Sequence, residues 1–172
     1  MFDKTKIERH TLSVLVDNEP GVLARVIGLF SGRGYNIESL TVSVVDKKQH
    51  KSRITLVTTG TPMVIEQIKK LLQKLVPIHS VKDLTIGPPH VERELALIKI
   101  INSGNDRVEA LRTADSFRAR TLDSTLNSFV FEVTGSSSKI LAFIELMESL
   151  GEIEVVRTGI CGITRGNKSD MN

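Results

Sequence analysis

Two hydrophobic periods alternate along the first half of the chain. In HTLSVLV, residues 10–16, apolar side chains recur at every second position, which is typical of a strand with one buried face. From Pro20 the apolar spacing changes to i, i+3, i+4 and i+7, which predicts an amphipathic helix. The pattern of residues 10–86 predicts the order strand, helix, strand, strand, helix, strand. The predicted strands are HTLSVLV, IESLTVSVV, RITLVTT and IHSVKDLTI.

Proline and glycine mark the ends of the first predicted helix. Pro20 suits a first helical turn because it has no amide hydrogen to lose there. Gly32 or Gly34 can adopt the left-handed conformation that ends many helices. The second helix of this half is predicted to begin at Thr61-Pro62.

The same order of elements is predicted again after a proline-rich linker. GPPHVERE suits neither a helix nor a central strand, because it contains paired prolines. Beyond it we predict a strand in LALIKII, a helix over 106–118, a hairpin from RTLDST and SFVFEV, a serine-capped helix and a final strand in IEVVRT. The predicted fold class is α+β, with two ferredoxin-like βαββαβ units in tandem.

The pattern divides the chain into four segments. They are a first domain (8–86), the linker (87–94), a second ferredoxin-like domain (95–165) and a flexible polar tail (166–172).

Composition narrows the class of protein. The 172 residues are 40% hydrophobic and 25% charged, which is typical of a soluble globular protein. The longest apolar runs are too short to span a bilayer, and MFDKTKIERH does not resemble a secretory signal. The single cysteine, Cys161, cannot form an internal disulfide, so we expect a cytoplasmic protein. The net charge of +3 is interspersed along the chain and does not indicate nucleic-acid binding.

No catalytic or metal-binding arrangement is visible in the sequence. The four histidines are scattered, without the spacing of a metal site. GSSSK, residues 135–139, lacks the full spacing of a phosphate loop and is better interpreted as a serine cluster that caps a helix. Cys161 lies between apolar residues, and we expect a small core or edge residue.

RNA binding is the alternative that the βαββαβ order itself suggests. RNA-recognition domains of this topology stack bases on aromatic residues of the inner strands. SFVFEV does place Phe129 and Phe131 on one strand face, but only 4% of residues are aromatic and no basic stripe accompanies them. We therefore expect both phenylalanines to lie in the core.

The stretch DNEPGVLARVIGLFSGRGYNIESL places one amide side chain at each end of an apolar helix. Free backbone amides before the helix suit a small carboxylate, and Gly21 allows close approach to the backbone. Asn18 can donate and accept there, whereas Asn36 could meet the same ligand from a paired molecule. A purely structural interpretation is also open, in which Asn18 forms a turn, Gly21 starts the helix and Asn36 is a left-handed cap.

NEPGVLARVIGLFSGRGYNIESLTV resembles the N-terminal ACT domain of the small regulatory subunit of acetolactate synthase (acetohydroxyacid synthase). The resemblance continues through HVERELALIKI and RTGICGITRG, so it covers nearly the whole chain. It implies a non-catalytic protein that enhances a large thiamine-diphosphate-dependent subunit and confers feedback inhibition by valine. No cofactor is expected on this chain, and thiamine diphosphate, Mg and FAD are expected on the large subunit only.

The resemblance also implies a homodimer in which valine binds between two ACT domains. The residues that match the family's site are Asn18, Gly21, Val22 and Leu23 from one chain, and Asn36 and Ile37 from the other. A free-standing amino-acid sensor that controls another enzyme or a transcription complex remains the alternative. The sequence contains no helix-turn-helix segment for direct DNA binding, which favours a protein partner.

Overall fold

The computed structural model describes residues 6–166, which divide into two compact units. Residues 6–91 and 160–166 belong to the first unit, and residues 92–159 form the second. None of the helices in the described part of the chain has the length and apolar character that crossing a bilayer requires.

The first unit is a four-stranded antiparallel sheet with two helices. Its elements are β1 (Glu8–Asp17), α1 (Val22–Ser31), β2 (Ser39–Asp46), β3 (Lys51–Gly60), α2 (Pro62–Gln73) and β4 (Ile78–Asp83). The strand order is β2-β3-β1-β4, so β2 and β4 are the edges. The alternate apolar residues of β1 and β3 pack against the buried faces of both helices. This core contains Leu12, Val14, Val16, Val22, Val26, Phe30, Ile54, Leu56, Ile65, Ile68 and Leu72.

The second unit repeats this arrangement. Its elements are β5 (His90–Ile101), α3 (Gly104–Ser116), β6 (Arg120–Ser124), β7 (Ser128–Gly135), α4 (Ser137–Glu148) and β8 (Glu152–Arg157), with the strand order β6-β7-β5-β8. A short strand, β9 (Cys161–Thr164), follows in the chain. Phe129 and Phe131 are 3% and 0% exposed, which confirms their prediction as core residues and leaves them unavailable for stacking on bases.

The structure confirms the predicted fold class of two α+β units with the βαββαβ order. Strand β4 ends at Asp83, three residues before the predicted end, because the Asp83 carboxylate accepts a hydrogen bond from the Thr85 amide and begins a turn. Residues 160–165, which the sequence pattern groups with the second domain, belong to the first unit by contact. Most of the predicted tail, residues 167–172, lies outside the described residues.

Hydroxyl caps start two of the helices. The Thr61 hydroxyl accepts from the Val64 amide at 3.4 Å, and the Ser136 hydroxyl accepts from the Lys139 amide at 3.3 Å. The second contact confirms that GSSSK caps a helix.

A largely buried ion pair joins β5 to β8 in the second unit. The Arg157 guanidinium donates to both carboxylate oxygens of Glu94, at 2.7 and 2.8 Å, and the Ser137 hydroxyl donates to the same carboxylate at 3.1 Å. The Glu94 side chain is 3% exposed. Its hydrogen bonds hold the pKa of Arg157 above the ordinary value. Lys99 and Glu154 form a second pair between the same strands, but both side chains are exposed.

We expect Arg157→Met to lower the free energy of unfolding by roughly 2 kcal/mol, because it removes the main cation from a buried carboxylate. Removing one partner of a fully buried ion pair costs about 3–5 kcal/mol. We expect a smaller loss here because part of the Arg157 side chain is exposed to solvent. Urea denaturation of the full chain measures this change. Lys99→Met is the matched control, and equal losses in the two variants would contradict the assignment.

Candidate functional site

The first part of the candidate site is the loop that leads from β1 into α1. Gly21 occupies the N-cap of α1 in the left-handed conformation, with φ of 87°. No side chain caps this helix start, and of its first-turn amides that of Val22 donates to the Glu19 carbonyl at 3.4 Å. Asn18, Glu19, Pro20 and Gly21 are all exposed. The loop is a positive helix end that is open to a small anion.

Backbone contacts hold this loop in place. The Asn18 amide donates to the His50 carbonyl at 2.6 Å, and the Asp17 amide donates to the Pro77 carbonyl at 2.9 Å. The Asn18 side chain is exposed beyond these contacts. Val22 is buried in the core, whereas Leu23 is 36% exposed on the neighbouring flank of the helix. The loop therefore presents an amide, free N–H groups and an apolar side chain together.

The second part of the site lies before β2. Asn36 is exposed, and its backbone carbonyl accepts from the Thr58 hydroxyl at 2.7 Å. Ile37 packs against the first core, and the Glu38 amide donates to the Val57 carbonyl at 2.8 Å. These contacts fix the backbone of the segment, and the side chain of Asn36 stays accessible from outside the unit.

The left-handed turn after α1 falls on Gly34, with φ of 69°, and not on Asn36. The Tyr35 amide donates back to the Phe30 carbonyl at 2.9 Å and closes the helix end. The interpretation of Asn36 as a left-handed cap is therefore wrong. Glycine adopts that conformation here because it has no β-carbon to clash.

The two parts of the candidate site lie at opposite ends of the first unit. Asp17 pairs with Lys51 at one end of β1 and β3, whereas Ser39 pairs with Val57 near the other end. Helix α1 runs between the two ends, and its ten residues span about 15 Å. Asn18 and Gly21 are therefore not brought together with Asn36 and Ile37 within one chain.

Exposed apolar side chains follow α1 and the edge strand β2 between those two ends. We call this set the apolar stripe; it consists of Leu23, Ile27, Val42 and Val44, which are 36% to 49% exposed. Leu23 and Ile27 belong to the helical apolar spacing that the sequence shows, but a spacing of i and i+4 alone does not tell a core flank from an interface.

The described residues provide little for other chemistry. Among residues 6–166 no group of three or more His, Cys, Asp and Glu side chains could hold a metal ion. Cys161 is exposed in β9. His10 and Asp83 form a buried pair at 2.8 Å between β1 and β4, a contact that the sequence periodicity did not indicate.

Comparison with known proteins identifies both units. The family model described as "AHAS small subunit-like ACT domain" matches residues 12–80, and "Small subunit of acetolactate synthase" matches residues 93–166. The probable acetolactate synthase small subunit of Archaeoglobus fulgidus is 46% identical, over 93% of this chain and 99% of its own. The small subunit of acetolactate synthase isozyme 3 from Escherichia coli is 47% identical, over 93% of this chain and 98% of its own.

A solved structure agrees with this similarity. The crystal structure of the acetolactate synthase small subunit from Thermotoga maritima superposes with a TM-score of 0.83 at 37% identity. The match covers 94% of this chain and 99% of that one.

The geometry of α1 generates a prediction about stability. We expect Gly21→Ala to lower the free energy of unfolding by about 1–2 kcal/mol, because a β-carbon is strained at a left-handed position. Gly28→Ala is the matched control within the same helix, and we expect it to raise stability by up to about 1 kcal/mol. A β-carbon at either position meets no atom within 4 Å, so the two variants differ in backbone strain alone. Chemical denaturation checks the opposite signs, and two changes of the same sign would contradict the φ assignment.

Proposed function

We propose that this chain, which belongs to the family of acetolactate synthase small subunits, is the regulatory subunit of that enzyme and binds valine between two copies of itself. In this proposal it has no active site of its own. It enhances the large thiamine-diphosphate-dependent subunit and makes it sensitive to valine, a product of the pathway. Thiamine diphosphate, Mg and FAD belong to the large subunit.

The observation that carries the proposal is the separation of the two halves of the site. One chain presents the Gly21 loop at one end of α1, and Asn36 and Ile37 at the other. A two-fold axis reverses one copy relative to its partner. The Gly21 loop of each copy then faces residues 36 and 37 of the other, and one dimer contains two equivalent sites.

The edge of the sheet supports such a dimer. Strand β2 pairs with β3 on one side only, so its other side offers unpaired backbone groups to a second strand. Antiparallel pairing of two β2 strands would join the sheets and cover the apolar stripe of each copy. It also reverses the strand direction, as the two-fold axis requires.

The chemistry of the two halves suits a small apolar amino acid. The uncapped amides at the start of α1 would bind the carboxylate, which the helix dipole also favours. The side-chain oxygens of Asn18 and Asn36 can accept hydrogen bonds from the ammonium group. Leu23 of one copy and Ile37 of the other would contact the side chain of the ligand, whereas the Val22 side chain is buried in its own core and contributes only its backbone to the site. One methylene in such a pocket changes affinity by about 1–3 kcal/mol, which is sufficient to rank related amino acids.

Reconstitution with a large subunit tests the function, with Gly21→Asp as the informative variant. We expect the wild-type chain to raise acetolactate synthase activity and to make it sensitive to valine. Gly21→Asp should retain activation but lose valine binding, because its carboxylate occupies the place of the ligand's and repels it. Titration calorimetry and activity assays measure the two effects.

Gly104→Asp is the matched control. Gly104 also lies at a helix start with positive φ and open space around its β-carbon position, but in the second unit. We expect this variant to bind valine normally. Valine binding without any effect on the large subunit would favour the free-standing sensor instead.

Mixed dimers test whether each site draws on two chains. Gly21→Asp and Asn36→Lys should each abolish binding in a homodimer, because every site then contains one altered half, with a carboxylate against the ligand's carboxylate or an ammonium against its ammonium. A heterodimer of the two variants has one site with both alterations and one site with none, so we expect one valine per dimer. Co-expression with two affinity tags isolates the heterodimer, and calorimetry counts its sites. A heterodimer that binds no valine would place both residues in one chain's own site and contradict the two-chain arrangement.

A further inference from the structure

The chain re-enters the first unit at Ile160, and both backbone groups of this residue bind hydroxyls of β2. The Ile160 amide donates to the Ser39 hydroxyl at 2.9 Å. The Thr41 hydroxyl donates to the Ile160 carbonyl at 2.9 Å. The Ile160 side chain is 3% exposed, so these contacts lie beside a buried residue. We call Ser39, Thr41 and Ile160 the hydroxyl clamp.

Strand periodicity explains why two hydroxyls can reach one residue. Ser39 and Thr41 are separated by two positions, so their side chains share one face of β2. Leu40, between them, packs against the first core on the other face. The hydroxyl clamp therefore lies on the face of β2 that is turned away from α1 and α2. Its two hydroxyl side chains are not part of the first core.

The clamp lies within a few residues of one half of the proposed valine site. Asn36 and Ile37 precede Ser39 directly in the chain, and only Glu38 separates Ile37 from it. On the inner side, the Thr58 hydroxyl and the Val57 carbonyl hold this segment to β3. Within one copy β2 pairs only with β3, and the clamp adds side-chain contacts on its face to the hydrogen bonds that β3 makes along its inner side.

We propose that Ser39 and Thr41 are positioning residues for the valine site. By bonding to Ile160 they hold the start of β2 in the orientation in which Asn36 and Ile37 complete the partner copy's pocket. This inference rests on the proposed function, and it adds residues 39, 41 and 160, which contact no ligand themselves. The C-terminal segment thereby becomes part of the ligand-binding apparatus of the first unit.

Loss of the clamp lowers affinity without removing any group that touches valine. The start of β2 then samples orientations that do not complete the pocket, and apparent affinity falls with the fraction that does. We expect the double variant Ser39→Ala, Thr41→Val to bind valine about fivefold or more weakly, within the range of typical coupling between sites. The concentration of valine that halves reconstituted activity should rise by the same factor, whereas activation without valine should not change.

Position 41 offers an internal comparison. Thr41→Val keeps the shape of the side chain and removes the hydroxyl, whereas Thr41→Ser keeps the hydroxyl and removes the methyl. We expect valine affinity to fall in the first variant and to be retained in the second. Ser43→Ala is the matched control, since Ser43 shares the strand and the face but is exposed further along β2.

The experiment combines titration calorimetry with valine, thermal unfolding and reconstituted activity for the full chain and these variants. Weaker binding in Thr41→Val and the double variant, with unchanged activation and unfolding temperature, supports the clamp. Equal affinity in all variants overturns it while leaving the proposed function intact. A parallel loss of unfolding temperature and activation also overturns it, because the hydroxyls would then serve general stability. A wild-type chain that binds no valine overturns the proposed function and the clamp's role together.

Discussion

The length of helix α1 is the constraint on which the rest of the proposed site depends. Its ten residues hold the uncapped Gly21 loop about 15 Å from the segment that carries Asn36 and Ile37. A side chain is too short to bridge that distance, so a pocket that uses both ends requires a second copy in reversed orientation. The exposed apolar side chains of α1 and β2 lie between the two ends. The separation of the two ends of α1 therefore accounts together for the two-chain ligand site, the two-fold symmetry and the exposed apolar surface of the proposed dimer.

Neither α1 nor α3 has a side-chain cap, but the two helices differ in what lies beside their first turns. In the first unit the helix start at Gly21 has no side-chain cap. In the second unit, Arg107 in the first turns of α3 stacks over the Phe129 ring at 3.7 Å and donates to the Ser128 carbonyl. It also donates to the Thr125 carbonyl, so one guanidinium ties the helix start to the β6–β7 turn. Arg107 therefore ties the first turns of α3 to the rest of the second unit, which fits a supporting role for that unit.

The sequence predicted the elements better than it predicted their ends and their partners. Periodicity identified the strands that have a buried face, because burial fixes their alternation, whereas the fully exposed β6 was predicted only as the partner of β7 in a hairpin. It missed β9, whose four residues are half-exposed and show no such alternation. It could not choose between Gly32, Gly34 and Asn36 for the left-handed turn, since glycine and asparagine both tolerate that conformation. The Gly21 loop was recognisable from its residue types, whereas the clamp joins residues about 120 positions apart and has no local signal.

Strand β2 and the residues just before it combine three proposed roles. Asn36 and Ile37 supply half of the proposed pocket, the exposed valines of β2 contribute to the proposed dimer surface, and its hydroxyls bind the returning chain at Ile160. Valine can alter the large subunit only if it binds one arrangement of the small subunit better than another, by about 1–3 kcal/mol for typical coupling. A ligand that closes onto residues 36 and 37 acts directly on the end of this strand.

The pairing of β2 on one side only explains why this strand can respond to so small a ligand. Within one copy its backbone is held by β3 alone, whereas a central strand such as β1 is held by two neighbours. Each hydrogen bond that a ligand or the clamp adds at the start of β2 is therefore a large fraction of what fixes the strand there. An edge strand is the element of this fold whose arrangement a small ligand can change at the lowest cost in free energy.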